Sequence, residues 1–176
     1  MSPPEIWGPA VWLLFHTLSG KIDVTAYSFI YVQLFHHIRN ISSLLPCPEC
    51  SKDALKILNN ININDLKTNT DFINFFYLFH NQVNHKKNKS LFNYQNINVY
   101  NNVNLIHVLN NFANKYNTKG NMKLLNESFQ RQFVLKNFNK WISVNINAFM
   151  KPMLLRPIYV KTPETDEPKT SLQVTY

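Results

Sequence analysis

Only two cysteines and three glycines occur among the 176 residues. Two thiols are too few for a disulfide framework and cannot complete a zinc site by themselves. Gly8, Gly20 and Gly120 lie too far apart to form the clustered turn of a Rossmann or P-loop phosphate site, so a nucleotide cofactor would have to be held another way. No segment approaches the ~20 apolar residues of a membrane span. Met1 to Gly20 lacks a basic start, and His16 interrupts its apolar stretch, so a cleaved secretory signal is not expected and a cytosolic protein is the default. There is no convincing strand run and no internal repeat. The formal charge of +8 is spread among many asparagines instead of forming a stripe, so neither nucleic acid nor membrane is an expected partner.

What is abundant is apolar and aromatic, at 45% and 14% of residues, which is a globular composition with a working core. Helical spacing dominates. Pro4 opens a first helix to about Ser19, with Trp7, Val11, Leu14, Phe15 and Leu18 at helical intervals and Gly20 as its stop. Asp23 or Thr25 caps a second, carrying Phe29, Val32, Leu34, Phe35 and Ile38 toward Leu45, where Pro46 ends it. A third runs from about Pro48 to Asn59, and a fourth from Thr70-Asp71 to about Asn88 with an aromatic face that must be buried. Asn88 to Asn104 reads as a loop with a short turn. Further helices are predicted near Val103 to Tyr116 and Met122 to Met150, and Pro152 to Tyr176, with four prolines, as an extended or disordered tail. The fold class is all-α, a helical bundle with short connections.

Both cysteines fall in Cys47-Pro48-Glu49-Cys50 at the start of the third helix. A thiolate there meets unpaired N–H groups and the positive end of the helix dipole, which favours redox exchange. Glu49 opposes a second negative charge, so the net shift is open. A pair of ordinary thiols, or half of a zinc site shared with a partner chain, are the other readings. A thioredoxin-like domain is disfavoured, because Leu44-Leu45-Pro46 does not continue a strand. Trp12 and His16, four apart, meet on one helical face, which a core Trp beside a satisfied core His would also explain. His80, Asn84 and Lys87 share another face with Asn81 adjacent, and alone form merely a basic helix end.

Taken together, Trp7-Gly8 with Trp12 and His16, then the CxxC, then His80-Asn81-x-Val83-Asn84-x-Lys86, resemble the Erv/ALR family of FAD-linked sulfhydryl oxidases over about Pro4 to Tyr94. The resemblance implies a four-helix bundle with a short fifth helix, holding FAD non-covalently at one mouth and pairing as a homodimer. It implies Gly8, Trp12, His16, His80, Asn81, Val83, Asn84, Lys86 and Lys89 as the FAD-binding residues, Gly8 by permitting close packing and the others as flavin contacts. It also implies Cys50 as electron donor to FAD and Cys47 as the thiol exposed to substrate. A substrate thiolate would attack the Cys47 sulfur and a second would resolve the mixed disulfide; electrons would then pass from Cys50 to FAD and on to dioxygen, giving hydrogen peroxide.

The chain departs from many members in having no shuttle cysteine pair, and Phe92-Asn93-Tyr94 stands where the family's F-D-C would brace the fold. Such economy is similar to compact members encoded by large cytoplasmic DNA viruses, and the Asn/Ile/Lys-rich composition fits an AT-rich genome. A separate thioredoxin-like dithiol protein is the expected substrate. Residues 1–95 are read as the FAD-binding core, 96–150 as an added helical segment and 151–176 as the tail. Ile106, Leu109, Phe112, Phe129, Phe133, Phe138 and Trp141 of the added segment form an extra layer or a partner surface. The competing reading is a non-enzymatic helical interaction module whose CxxC is incidental or shares a zinc ion.

Overall fold

The computed structural model describes residues 3–117 and 125–150, and the predicted tail lies outside the described residues. The order is α1 (Pro4–Lys21), α2 (Val24–Ser43), α3 (Pro48–Asn60), a 3-10 turn (Ile63–Asp65), α4 (Asn69–Lys86), a 3-10 stretch (Tyr94–Asn102), α5 (Leu105–Tyr116), α6 (Leu125–Asn145) and α7 (Asn147–Met150). No strand occurs among the described residues, and no helix among them is long and apolar enough to cross a membrane.

Local chemistry sets the helix starts. Pro4 sits in the first turn of α1, where its missing N–H costs nothing. Asp23 caps α2 by accepting the Thr25 N–H at 2.8 Å. Thr68 and Asp71 form a reciprocal capping box that opens α4 at Asn69, just before the expected Thr70. At the other end of α4, Asn88 takes a positive φ of 53°, Asn88 N–H reaches the His85 carbonyl at 3.1 Å and Lys89 N–H the Asn84 carbonyl at 2.9 Å. This Schellman closure ends the helix at Lys86 and folds Lys89 back beside Asn84.

Three sequence expectations change. Gly20 is not a stop, since α1 continues to Lys21; Gly20 is buried, and a Cβ there would run into the Asn101 side chain. Its role is close approach of the 3-10 stretch, which Lys21 secures by donating to the Asn101 carbonyl at 2.6 Å. The 88–104 region is more ordered than a loop with a turn, because nine residues of it are 3-10 helix. The single helix expected to Met150 is two, α6 and α7, parting at Ile146.

One hydrophobic core runs from Trp7 to Phe149. α1 packs against α4, α5 and the 3-10 stretch, and α3 and α6 both pack on α2. Leu105, Val108, Phe112 and Tyr116 of α5 and Leu135, Phe138 and Ile142 of α6 are buried in that core together with α1 and α2. The added segment is therefore an integral layer. Polar ties fix its register: Tyr116 OH donates to the Ile41 carbonyl at 3.0 Å, Trp141 Nε1 to Gln33 Oε1 at 2.7 Å, and Asp23 N–H to the Ala148 carbonyl at 2.7 Å. Phe129 and Phe133 remain exposed.

Candidate active site

A cleft of about 610 Å³ opens between the first half of α1, the end of α2, the start of α3 and the last turns of α4. Its wall from α1 carries Trp7, Gly8 and Trp12; its wall from α4 carries Phe79, His80, Val83 and Asn84. Cys50, Asp53 and Ala54 enter from α3, and Lys86, Lys87 and Lys89 stand at the rim. Three lysines against the carboxylates of Glu5 and Asp53 leave the lining with a positive balance suited to an anionic ligand. Lys86 Nζ lies 2.6 Å from Asp53 Oδ1 and ties α4 to α3.

Cys47 and Cys50 are joined as a disulfide across the first turn of α3. Both are half-buried, but Cys50 lines the cleft and Cys47 does not. Cys47 is the N-cap of α3, and its Sγ accepts the Cys50 N–H at 3.2 Å, so the thiolate formed on reduction would sit on the positive end of the helix. Glu49, the group that opposes it, is exposed, where water screens its charge.

The aromatic wall is a stack of paired rings. Trp12 and His80 lie parallel at 4.1 Å between centroids, and His16 and Tyr100 stack at 4.5 Å. The two pairs are joined by a 2.9 Å hydrogen bond between His16 Nε2 and His80 Nδ1. Burial, and then the neighbouring His80, holds the His16 pKa down to about 3; burial, and then Lys89, holds His80 down to about 4. Both imidazoles are neutral at pH 7, so one donates its ring N–H to the other. Burial also pushes the Tyr100 hydroxyl up from its ordinary value, keeping it protonated.

Gly8, Trp12, His80, Val83, Asn84, Lys86, Lys89 and Cys50 are brought together as lining residues. His16 is buried behind His80 and supports it. Asn81 is placed elsewhere: its Oδ1 accepts the Phe92 N–H at 2.8 Å and its Nδ2 donates to the Phe92 carbonyl at 3.1 Å. It clasps the chain after α4 instead of facing the cleft. Gly8 leaves room on the cleft wall, for a Cβ there would meet nothing within 4 Å. Sequence reasoning missed Asp53, Tyr100 and Ser42 as wall residues. Tyr100 gave no signal because it sits in the aperiodic 3-10 stretch, whereas Asp53, one turn after Cys50, was readable from helical spacing.

The Erv1 / Alr family model matches residues 9–104, from α1 through the 3-10 stretch. A protein of Invertebrate iridescent virus 6 named as FAD-linked sulfhydryl oxidase 347L is 29% identical over 94 residues, 50% of this chain and 85% of that protein. A protein of Invertebrate iridescent virus 3 named as FAD-linked sulfhydryl oxidase 096R is 32% identical over 88 residues, 49% of this chain and 59% of that protein. No solved structure matches the chain significantly. With more than half of its length matched, and with the disulfide, the histidine pair and the lysine rim meeting at one cleft, the chain belongs to the Erv1 / Alr family.

Proposed function

We propose that this protein is an FAD-linked sulfhydryl oxidase that makes disulfides in dithiol proteins through Cys47 and Cys50. Cys50 carries this reading: it alone of the disulfide pair lines the cleft, beside aromatic walls and a lysine rim. The lining fits FAD. Gly8 leaves open space where a side chain would stand, Trp12 and His80 offer flat ring faces, and Lys86, Lys87 and Lys89 suit a diphosphate. The cleft volume also falls within the ~300–1,000 Å³ usual for ligand sites.

A substrate thiolate attacks Cys47 Sγ; the new sulfur–sulfur bond forms as the Cys47–Cys50 bond breaks, and Cys50 leaves as a thiolate. The second substrate thiolate attacks the substrate sulfur of this mixed disulfide. Cys47 then departs as a thiolate into the Cys50 N–H and the α3 dipole, and the substrate leaves oxidised by two electrons. Bound FAD supplies the two-electron acceptor for the reduced pair and, through dioxygen, the outlet to hydrogen peroxide. The neutral His16–His80 pair keeps added positive charge out of the wall, and the Lys86–Asp53 tie holds α3 against α4. A separate dithiol protein is the substrate in this reading, because the chain has no second cysteine pair to relay electrons.

The purified protein should show a flavin absorbance spectrum with about one FAD per chain, bleached by anaerobic dithiothreitol. Cys50→Ser should keep the spectrum and lose the bleaching. A well-folded, colourless protein that does not take up added FAD would overturn the proposal in favour of a helical interaction module.

A further inference from the structure

Beside the cleft, the seam between α3 and α4 holds a groove of about 630 Å³. The Lys86–Asp53 pair stands on the wall of both spaces and divides them: Cys50 lines only the cleft, and the groove runs on along α3 as far as Ile61. Nothing in the proposed flavin chemistry uses this groove. Its floor is apolar, from Ile57, Ile61 and Phe75, which lie half-buried against the core. On α4, Leu78 follows Phe75 by three and precedes Gln82 by four, so it stands on the stripe that lines the groove, and it is 63% exposed. An apolar floor that continues onto an exposed leucine is surface that a partner would cover.

Charge and position say which partner. Asp53 is the one carboxylate among the described residues that line the groove, and Lys86 already holds it at 2.6 Å. Lys56, on the same rim, is exposed and makes no ion pair among the described residues. The rim therefore keeps a positive balance, on a chain of net charge +8, which draws in and orients an acidic segment. The groove also follows the helix whose N-cap is Cys47. Lys56 lies nine residues beyond Cys47, about 14 Å along the helix axis, a span that roughly four or five extended residues cover. A protein segment seated in the groove can thus present a neighbouring thiol to the Cys47 sulfur.

Resting on the proposed oxidase reading, we infer that the α3–α4 groove docks the dithiol substrate, taking a substrate segment that carries carboxylates around an apolar side chain and holding it beside the redox disulfide. Lys56 meets the carboxylates, and Leu78 with the groove floor covers the apolar side chain. Neither residue lines the cofactor cleft, so both set KM and leave the flavin site alone.

The test is steady-state oxidation, by the full chain, of two reduced peptides that share one Cys-x-x-Cys, with dithiothreitol as the small reference thiol. One peptide is flanked on both sides by Asp, Glu and Leu, the other by Lys and Ser. The acidic, apolar peptide should show a KM about fivefold below that of the basic one, and the gap should narrow as salt is raised. Lys56→Glu and Leu78→Asp should each raise that KM about three- to fivefold, while kcat, the flavin band and dithiothreitol oxidation stay at wild-type values. Equal KM values for the two peptides, or variants that leave KM unchanged, would overturn the inference. Variants that convert a dimer to a monomer at unchanged KM would do so by assigning the groove to a second copy of the chain. A Lys56→Glu variant that gains activity toward both peptides would do so by assigning it to the chain's own carboxylates at Glu164, Asp166 and Glu167. If the wild-type chain oxidises no dithiol, the oxidase reading falls and takes this one with it, whereas dithiothreitol oxidation with no choice between the peptides removes the docking groove alone.

Discussion

His16 and His80 share a hydrogen bond across which one ring must accept, and burial holds their pKa values to about 3 and about 4. The unfolded chain titrates them near 6.5, so as pH falls through 6.5 toward 4 the unfolded state gains protons that the folded state refuses. Stability is therefore full above 6.5 and is lost on acidification. His37, also lowered by burial and then by His36, adds in the same direction. The thermal midpoint should fall steadily between pH 7.5 and pH 5; a flat profile would contradict a neutral pair. At this scale the sequence was legible where side chains act through helical spacing. Trp12 and His16, or His80 and Asn84, are placed by intervals of four on elements the pattern identifies. Asn81 was not legible, because an amide beside a ligand wall looks the same in sequence as one that clasps the Phe92 backbone.

Helix starts with side-chain caps were readable to within a residue or two, since Asp23 and Thr68 act locally. Ends set by contact were not. Gly20 reads as a terminator by composition, but tertiary packing of the 3-10 stretch uses its missing Cβ instead. That stretch has no signature of its own, because i to i+3 bonding does not impose an apolar period on Asn-rich sequence. The capping box of α4 matters for function because α4 presents His80 and Lys86 and leads into Lys87 and Lys89. Thr68→Ala should cost about 1 kcal/mol in urea unfolding, the usual value of a lost cap. The Asp71 carboxyl is held below its ordinary 3.8 by the Thr68 side-chain and backbone hydrogen bonds, so its share of the box is present above that pH and disappears as pH falls through the lowered value. The penalty of Thr68→Ala should accordingly be larger at pH 7 than near pH 3; equal penalties would show that Asp71 does not contribute.

At the level of the molecule, the site and the fold have different boundaries. Every lining residue of the cleft lies between Pro4 and Tyr100, inside or just before the family match, whereas the core that holds those walls continues to Phe149. The boundary was not legible because the apolar periods of α5 and α6 say that these helices pack without saying on what. Phe112 and Phe138 in fact meet edge to face, at 6.1 Å, joining α5 to α6. A chain ended at Asn117 would keep every cleft residue and lose Leu135, Phe138, Ile142 and Phe149 from the interior. Each such side chain stabilises by about 1.5–3 kcal/mol on burial, so their joint loss rivals the ~5–15 kcal/mol net stability of an ordinary domain. The shortened chain should unfold at a much lower temperature than the full chain. Saturating FAD should nevertheless raise its midpoint, because the ligand binds only the folded form and its contacts are intact. A shortened chain as stable as the whole would show that α6 and α7 are a detachable cover; one that gains nothing from FAD would show that they shape the cleft itself.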